Sequence, residues 1–82
     1  MGCYINYEIE ILGNIKWDEL VVHTKLHNYN CNWIYLPDMI ENIIIISLYS
    51  THEIKDIIRI FKEIYGYDVR YRRYIINNEW KN

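Results

Sequence analysis

The segment STHEIKDIIRIFKEIYG, residues 50–66, gives the clearest structural signal in this chain of 82 residues. Ser50, followed three residues later by Glu53, predicts a capping box, in which the hydroxyl and the carboxylate satisfy backbone N–H groups at a helix start. An apolar stripe then recurs at helical spacing and consists of Ile54, Ile57, Ile58, Phe61 and Ile64. Gly66 can adopt the left-handed conformation that ends such helices. The segment therefore predicts an amphipathic helix that packs one side against a core.

Four segments with strand character surround that helix. Residues 3–12 alternate between apolar and polar side chains, with the period of two that is typical of a half-buried strand. Residues 31–36 form a short apolar run before Pro37, and residues 43–50 form a longer one, which favours a central strand. Residues 67–76 combine valine and isoleucine with tyrosine and arginine, and they predict a fourth strand.

Another helix is predicted between the first two strands, from Ile15 to His27. Asp18 and Glu19 lie in its first turn, where the helix dipole favours negative charge. Its predicted core side recurs at helical spacing and consists of Trp17, Leu20, Val21 and Thr24.

The predicted order is therefore β-α-β-β-α-β over a single domain, residues 1–82, whose length suits one hydrophobic core. This order is typical of a ferredoxin-like α+β sandwich, with a four-stranded antiparallel sheet in spatial order 4-1-3-2. Right-handed crossovers place both helices on one face of that sheet. Since this arrangement hosts unrelated functions, the fold class alone does not identify an activity.

The fourth predicted strand, YDVRYRRYII, has the interleaved arginine and tyrosine residues of a nucleic-acid-binding strand. However, the formal net charge is −2, and acidic residues alternate along the neighbouring first strand. The predicted register sets Glu10 beside Arg70, Glu8 beside Arg72 and Asn6 beside Tyr74. Strict alternation turns Arg73 toward the helices, where it extends to the sheet edge, unless a bulge at Arg72 and Arg73 rotates both outward.

The sheet face away from the helices is the candidate binding surface, because a contiguous exposed apolar patch usually marks an interface. Its predicted members are Tyr4, Trp33, Tyr35, Ile43, Ile45, Tyr49, Arg70, Arg72 and Tyr74. In the alternative in which the middle strands are reversed, the outward residues are Ile34, Leu36, Ile44, Ile46 and Leu48. Either assignment leaves this face apolar.

These features favour a small non-enzymatic protein-binding module, which acts by covering a surface of a partner or of a second copy of itself. Strand addition at a sheet edge is the second binding mode that we consider. The abundance of isoleucine, asparagine, tyrosine and lysine is typical of A/T-rich genomes, including those of phages. We therefore expect a phage or mobile-element inhibitor, of the anti-CRISPR or another anti-defence type, that blocks a host factor. With no charged leader and no long apolar span in the sequence, we expect it in the cytoplasm and not in a membrane.

Two other function classes stay open at this point. Single-stranded nucleic acid could stack on the aromatic residues of the sheet face and contact the arginines, including Arg73. A small metal- or cysteine-dependent enzyme would use His23 and His27, one helical turn apart, together with Cys31. No third orienting group and no glycine-rich phosphate loop is evident, so the sequence predicts no cofactor and no metal site.

Overall fold

The computed structural model describes residues 4–36, 42–74 and 79–81. Its elements are β1 (Ile5–Ile11), α1 (Glu19–Leu26), β2 (Cys31–Leu36), β3 (Asn42–Leu48), a 3-10 turn (Thr51–Glu53), α2 (Ile54–Tyr65) and β4 (Val69–Arg73). The predicted order of strands and helices is confirmed, and the protein is an α+β fold with a four-stranded antiparallel sheet and two helices. The predicted outer ends of the first and fourth strands, at Cys3 and at residues 75–76, lie outside the described residues.

The strands lie in the order β2-β3-β1-β4, and each neighbouring pair is antiparallel. Read from the β4 edge, this is the order 4-1-3-2 that the sequence predicts. Between β1 and β4, the predicted register is also confirmed, with Glu10 opposite Arg70 and Glu8 opposite Arg72. The Tyr74 N–H donates to the Asn6 carbonyl oxygen at 2.9 Å and extends this register by one more pair.

Arg73 lies opposite Tyr7, on the helix side of the sheet. The register runs without interruption from Val69 to Arg73, so there is no bulge at Arg72 and Arg73. The Arg73 guanidinium carbon lies 6.0 Å from the centre of the Tyr7 ring, and the side chain is half-buried. Of the two arrangements that the sequence allows, the edge position is therefore the correct one.

The core lies between one face of the sheet and both helices. Side chains with no exposed surface come from every layer: Ile9, Val22, Leu26, Ile44, Ile46, Leu48, Ile57, Phe61 and Val69. The predicted stripe of α2 is confirmed, since four of its five members are buried and Ile64 packs against the core. Gly66 ends α2 at φ 75°, in the left-handed region. The predicted capping box is wrong, because the Ser50 hydroxyl accepts from the His52 N–H at 3.2 Å and caps the 3-10 turn that precedes α2.

The buried side of α1 differs from its prediction. The helix begins at Glu19, where the Asp18 carboxylate caps it by accepting from the Val21 N–H at 3.2 Å. Its buried residues are Val22 and Leu26, whereas Leu20 is 74% exposed. The prediction counted Trp17 as a helical position, but this residue precedes the helix and therefore does not set its helical phase.

A close contact joins the end of β1 to the start of β4. The ring of Tyr67 lies directly against the Gly13 backbone, in the space that a Cβ atom at that position would fill. The Gly13 carbonyl oxygen accepts a hydrogen bond from Asn42 Nδ2 at 2.5 Å. Residue 13 therefore has to be glycine as long as the tyrosine ring keeps its place.

Candidate functional site

Trp33 and Tyr35 do not lie on the open face of the sheet. Their partners across β2 and β3 are Ile46 and Ile44, which are fully buried under the helices, and paired residues share a face. The predicted position of these two aromatic residues is therefore wrong, because β2 is apolar on both sides and alternation alone does not orient it. The reversed assignment is correct for Ile34, which is 64% exposed, and wrong for the buried residues of β3. The side chain of Leu36 lies outside the described residues.

The aromatic residues of β2 instead close the helix layer near α1. The Trp17 ring stacks on the Tyr35 ring with centres 4.5 Å apart and an interplanar angle of 7°. One carboxylate, that of Glu19, accepts hydrogen bonds from Trp17 Nε1 at 3.0 Å and from Trp33 Nε1 at 2.8 Å. The reason for the inward orientation is thus a local network that the sequence does not show.

The other predicted members of the open face do lie there, but they do not form a continuous apolar patch. Ile43 is only 3% exposed, and Ile45 is half-buried. Tyr4 and Tyr49 are 48% and 44% exposed, and their rings meet edge to face at 5.1 Å. Tyr74, which is 39% exposed, follows the edge strand β4. These three exposed tyrosines therefore lie at one end of the sheet, and charged pairs occupy the open face along β1 and β4.

Arginine and glutamate side chains form a ladder across β1 and β4. Arg70 Nε donates to Glu10, and Arg72 Nε donates to Glu8 Oε1 at 2.6 Å. The indole of Trp80 covers both guanidinium groups, whose central carbons lie 4.4 and 4.1 Å from its ring centre. Such cation–π contacts add stability and shield the charge. The sequence analysis missed this role of Trp80, and a lone tryptophan in a polar tail is the signal that could have shown it.

The same tail protects the β4 edge of the sheet. The backbone groups of Lys81 and Tyr71 exchange two hydrogen bonds of 2.7 Å and form an isolated bridge. Native proteins commonly cover free edges in this way, because unpaired strand edges attract further strands.

The β2 edge has no such cover among the described segments. In antiparallel strands, the backbone groups of successive residues point alternately to the two neighbours. The Asn6 carbonyl bonds to β4, so the even-numbered residues of β1 bond to β4 and the odd-numbered residues bond to β3. The pairing of β1 with β3 then leaves the odd-numbered residues of β3 to bond to β2, and their partners are the even-numbered residues of β2. The N–H and C=O groups of Trp33 and Tyr35 therefore point outward from the sheet. The N–H of Cys31, which points the same way, donates to the Tyr29 carbonyl at 3.0 Å.

A cleft of about 530 Å³ runs beside this edge, between β2 and α1. Its walls include His23 from α1, His27 at the C-terminal cap of that helix, and Cys31, Asn32 and Trp33 from the strand. Adjacent strand residues project to opposite faces of a sheet, so a cleft that touches both Asn32 and Trp33 reaches the rim of the strand. The free backbone groups and the cleft thus form one surface, which we call the β2 edge surface.

The histidines and the cysteine that a small metal- or cysteine-dependent enzyme would use, His23, His27 and Cys31, do gather at this cleft. Burial, with a smaller effect of the Glu53 carboxylate, raises the pKa of the Cys31 thiol to about 11, so the thiol stays protonated near neutral pH. The His27 ring already uses Nδ1 in a 2.6 Å contact with the Thr24 carbonyl oxygen. Among the described residues, no three histidine, cysteine or acidic side chains are placed to hold a metal ion.

Neither helix that the structure describes has the length and apolar character needed to cross a bilayer. Comparison with protein-family models, curated proteins and solved structures finds no match to this chain.

Proposed function

We propose that this chain is a small non-enzymatic protein-binding module that binds an extended protein segment as an added strand at the β2 edge surface. The observation that carries the proposal is the row of outward backbone groups on Trp33 and Tyr35, beside the α1 cleft. Strand addition obtains affinity from such main-chain groups and specificity from neighbouring side-chain pockets.

The composition of β2 supports this proposal. Free strand edges are usually blunted by lysine, proline, an inward charge or a bulge. The strand CNWIYL contains no charged residue and no proline, and its register with β3 is unbroken. The opposite edge is bridged by the Lys81 backbone, whereas no residue that the structure describes pairs with the outer side of β2.

The open face of the sheet is less suited to binding than the sequence predicts. Trp33 and Tyr35 project into the helix layer, and Ile43 is buried. Substitutions at the two aromatic residues would therefore disturb packing as well as association. Ile34, which is 64% exposed in the middle of β2, is the better position for testing the edge.

The nucleic-acid alternative has less support than protein binding. Arg70 and Arg72 are paired with carboxylates and covered by Trp80, and Arg73 lies beside Tyr7 on the helix side. Backbone binding needs arginine or lysine groups that can displace counterions from phosphates. Arg70 and Arg72 therefore already use their positive charge within the fold.

Two finer proposals go with the module. A ferredoxin-like classification is supported by the strand order and by a core that both helices share with one sheet face. The further proposal is a phage or mobile-element inhibitor that blocks a host defence factor in a bacterial cytoplasm. It is supported by an abundance of isoleucine, asparagine, tyrosine and lysine, which is typical of proteins from A/T-rich genomes.

The test is affinity capture from a bacterial lysate with the immobilised wild type, Ile34→Lys and Leu12→Lys. Both substitutions replace an exposed aliphatic side chain by lysine, but Leu12 follows β1, which β3 separates from β2. We expect Ile34→Lys to lose the captured protein and Leu12→Lys to retain it, because a charge on an edge strand opposes strand addition. In addition, the captured protein should slow amide hydrogen exchange at Trp33 and Tyr35. Capture that survives Ile34→Lys, or protection confined to the Tyr4–Tyr49 end, would contradict the proposal.

A further inference from the structure

We infer that the strand added at the β2 edge surface is β2 of a second copy of this chain, paired antiparallel with Ile34 opposite Ile34 on a twofold axis. The inference rests on the proposed function, since it names the occupant of the same edge. It differs from the dimer that the sequence suggests, which would use the open face of the sheet.

The hydrogen-bonding groups of the β2 edge complement themselves in this register. Trp33 of one copy lies opposite Tyr35 of the second copy, and both residues point their N–H and C=O groups outward. The twofold axis repeats this pair on its other side. Every outward backbone group of Trp33 and Tyr35 then has a partner in the other copy.

A register centred on Trp33 makes the same number of backbone hydrogen bonds, four in all. It would set the Tyr35 carbonyl of one copy opposite the Cys31 N–H of the other. That N–H already donates to the Tyr29 carbonyl at 3.0 Å, so the Tyr35 carbonyl would stay without a donor. In the register centred on Ile34, the Cys31 carbonyl likewise stays without a donor, because position 37 is proline and has no N–H. The hydrogen bonds alone therefore do not decide between the two registers.

The side chains favour the register centred on Ile34. Ile34 is 64% exposed in the single chain, and on the axis it lies in a non-hydrogen-bonded pair, in which Cα atoms approach to about 4.5 Å. The pair buries two aliphatic side chains against each other, and no charged residue of β2 is brought beside its own copy. In this register, each residue pairs with a residue whose side chain projects to the same face of the sheet. Both helix layers therefore lie on the same side, and the two four-stranded sheets join into one.

The test is oxidative cross-linking of Ile34→Cys in a background in which Cys3 and Cys31 are serine. The pair separation of about 4.5 Å lies within the Cα range of a disulfide, so we expect a covalent dimer to form rapidly. Asn32→Cys in the same background is the matched control, since Asn32 lies on the same strand and face. The register separates the two copies of that residue by roughly 14 Å, at about 3.4 Å per residue, so we expect no cross-link.

Sedimentation equilibrium of the unmodified chain completes the experiment. We expect a dimer at about 100 μM, a concentration well above a micromolar Kd, and we expect Ile34→Lys to be a monomer. A wild-type chain that stays monomeric, or equal cross-linking of the two cysteine variants, would overturn the inference. If the wild-type chain is monomeric and captures a protein that Ile34→Lys does not capture, the proposed function holds and the dimer is refuted. If the monomeric wild type captures no protein either, the dimer and the proposed function are both refuted.

Discussion

Replacing Arg70 by alanine tests whether the charge ladder holds the sheet together. The Glu10 side chain is 2% exposed and that of its partner Arg70 is 31% exposed, so the substitution removes one guanidinium group from a buried carboxylate. Breaking a buried ion pair by removing one partner costs about 3–5 kcal/mol. The partial exposure of Arg70 places the expected loss in free energy of unfolding at the lower end, about 3 kcal/mol. For a domain of this size, that corresponds to a fall in melting temperature of roughly 12–24 °C.

The assay is urea and thermal unfolding followed by far-ultraviolet circular dichroism. Arg59→Ala is the control, because Arg59 and Asp56 form an ion pair on α2 with side-chain exposures of 64% and 45%. That exposed pair should be worth at most about 0.5 kcal/mol. Glu10→Gln, added to Arg70→Ala, should restore part of the loss, since a neutral amide is cheaper to bury than a charge. If Arg70→Ala costs no more than Arg59→Ala, or if the second substitution restores nothing, the ladder is not a buried structural element.

Three further outcomes are expected. Glu19→Ala should lower the free energy of unfolding by about 1–2 kcal/mol and alter tryptophan fluorescence, because two indole N–H groups lose their acceptor; Glu63→Ala, on the exposed side of α2, should do neither. With Cys3 replaced by serine, the rate of alkylation of Cys31 by iodoacetamide should rise with pH around a midpoint of about 11, because burial and, to a smaller extent, the Glu53 carboxylate disfavour the thiolate. A midpoint at the ordinary thiol pKa would show instead that the site is open to water. A fluorescently labelled single-stranded oligonucleotide should show no change in anisotropy at low salt; binding that weakens steeply with added salt would instead support the nucleic-acid alternative.

The register of β1 and β4 could be predicted because opposite charges recur at the same spacing on both strands. Glu8 and Glu10 match Arg72 and Arg70 in a single antiparallel alignment, and the structure adopts that alignment. The buried side of α2 could be predicted equally well, since five apolar residues share one helical face and five charged residues lie on the opposite side. Where polarity alternates with a clear period, the sequence determines the orientation of the element.

The orientation of β2 and the phase of α1 could not be predicted, because each has apolar residues in more than one direction. In CNWIYL, either alternate set could face the core, and the choice is made by the Glu19 carboxylate and the Trp17 ring, which are distant in sequence. For the same reason, the sequence predicts the candidate site on the open face of the sheet, whereas the structure favours the edge of the sheet. The free edge is a property of strand order, and it becomes visible when all four strands and the tail are placed.

The contact between Gly13 and Tyr67 constrains how this sequence can diverge. A side chain at position 13 would collide with the ring, whereas a smaller residue at position 67 merely vacates space. Mutations at the two positions are therefore tolerated in one historical order: the aromatic residue has to be lost before the glycine can be replaced. Descendants of a common ancestor should accordingly show large residues at position 13 together with small ones at position 67, which is a directional epistasis that deep mutational scanning of the pair would reveal.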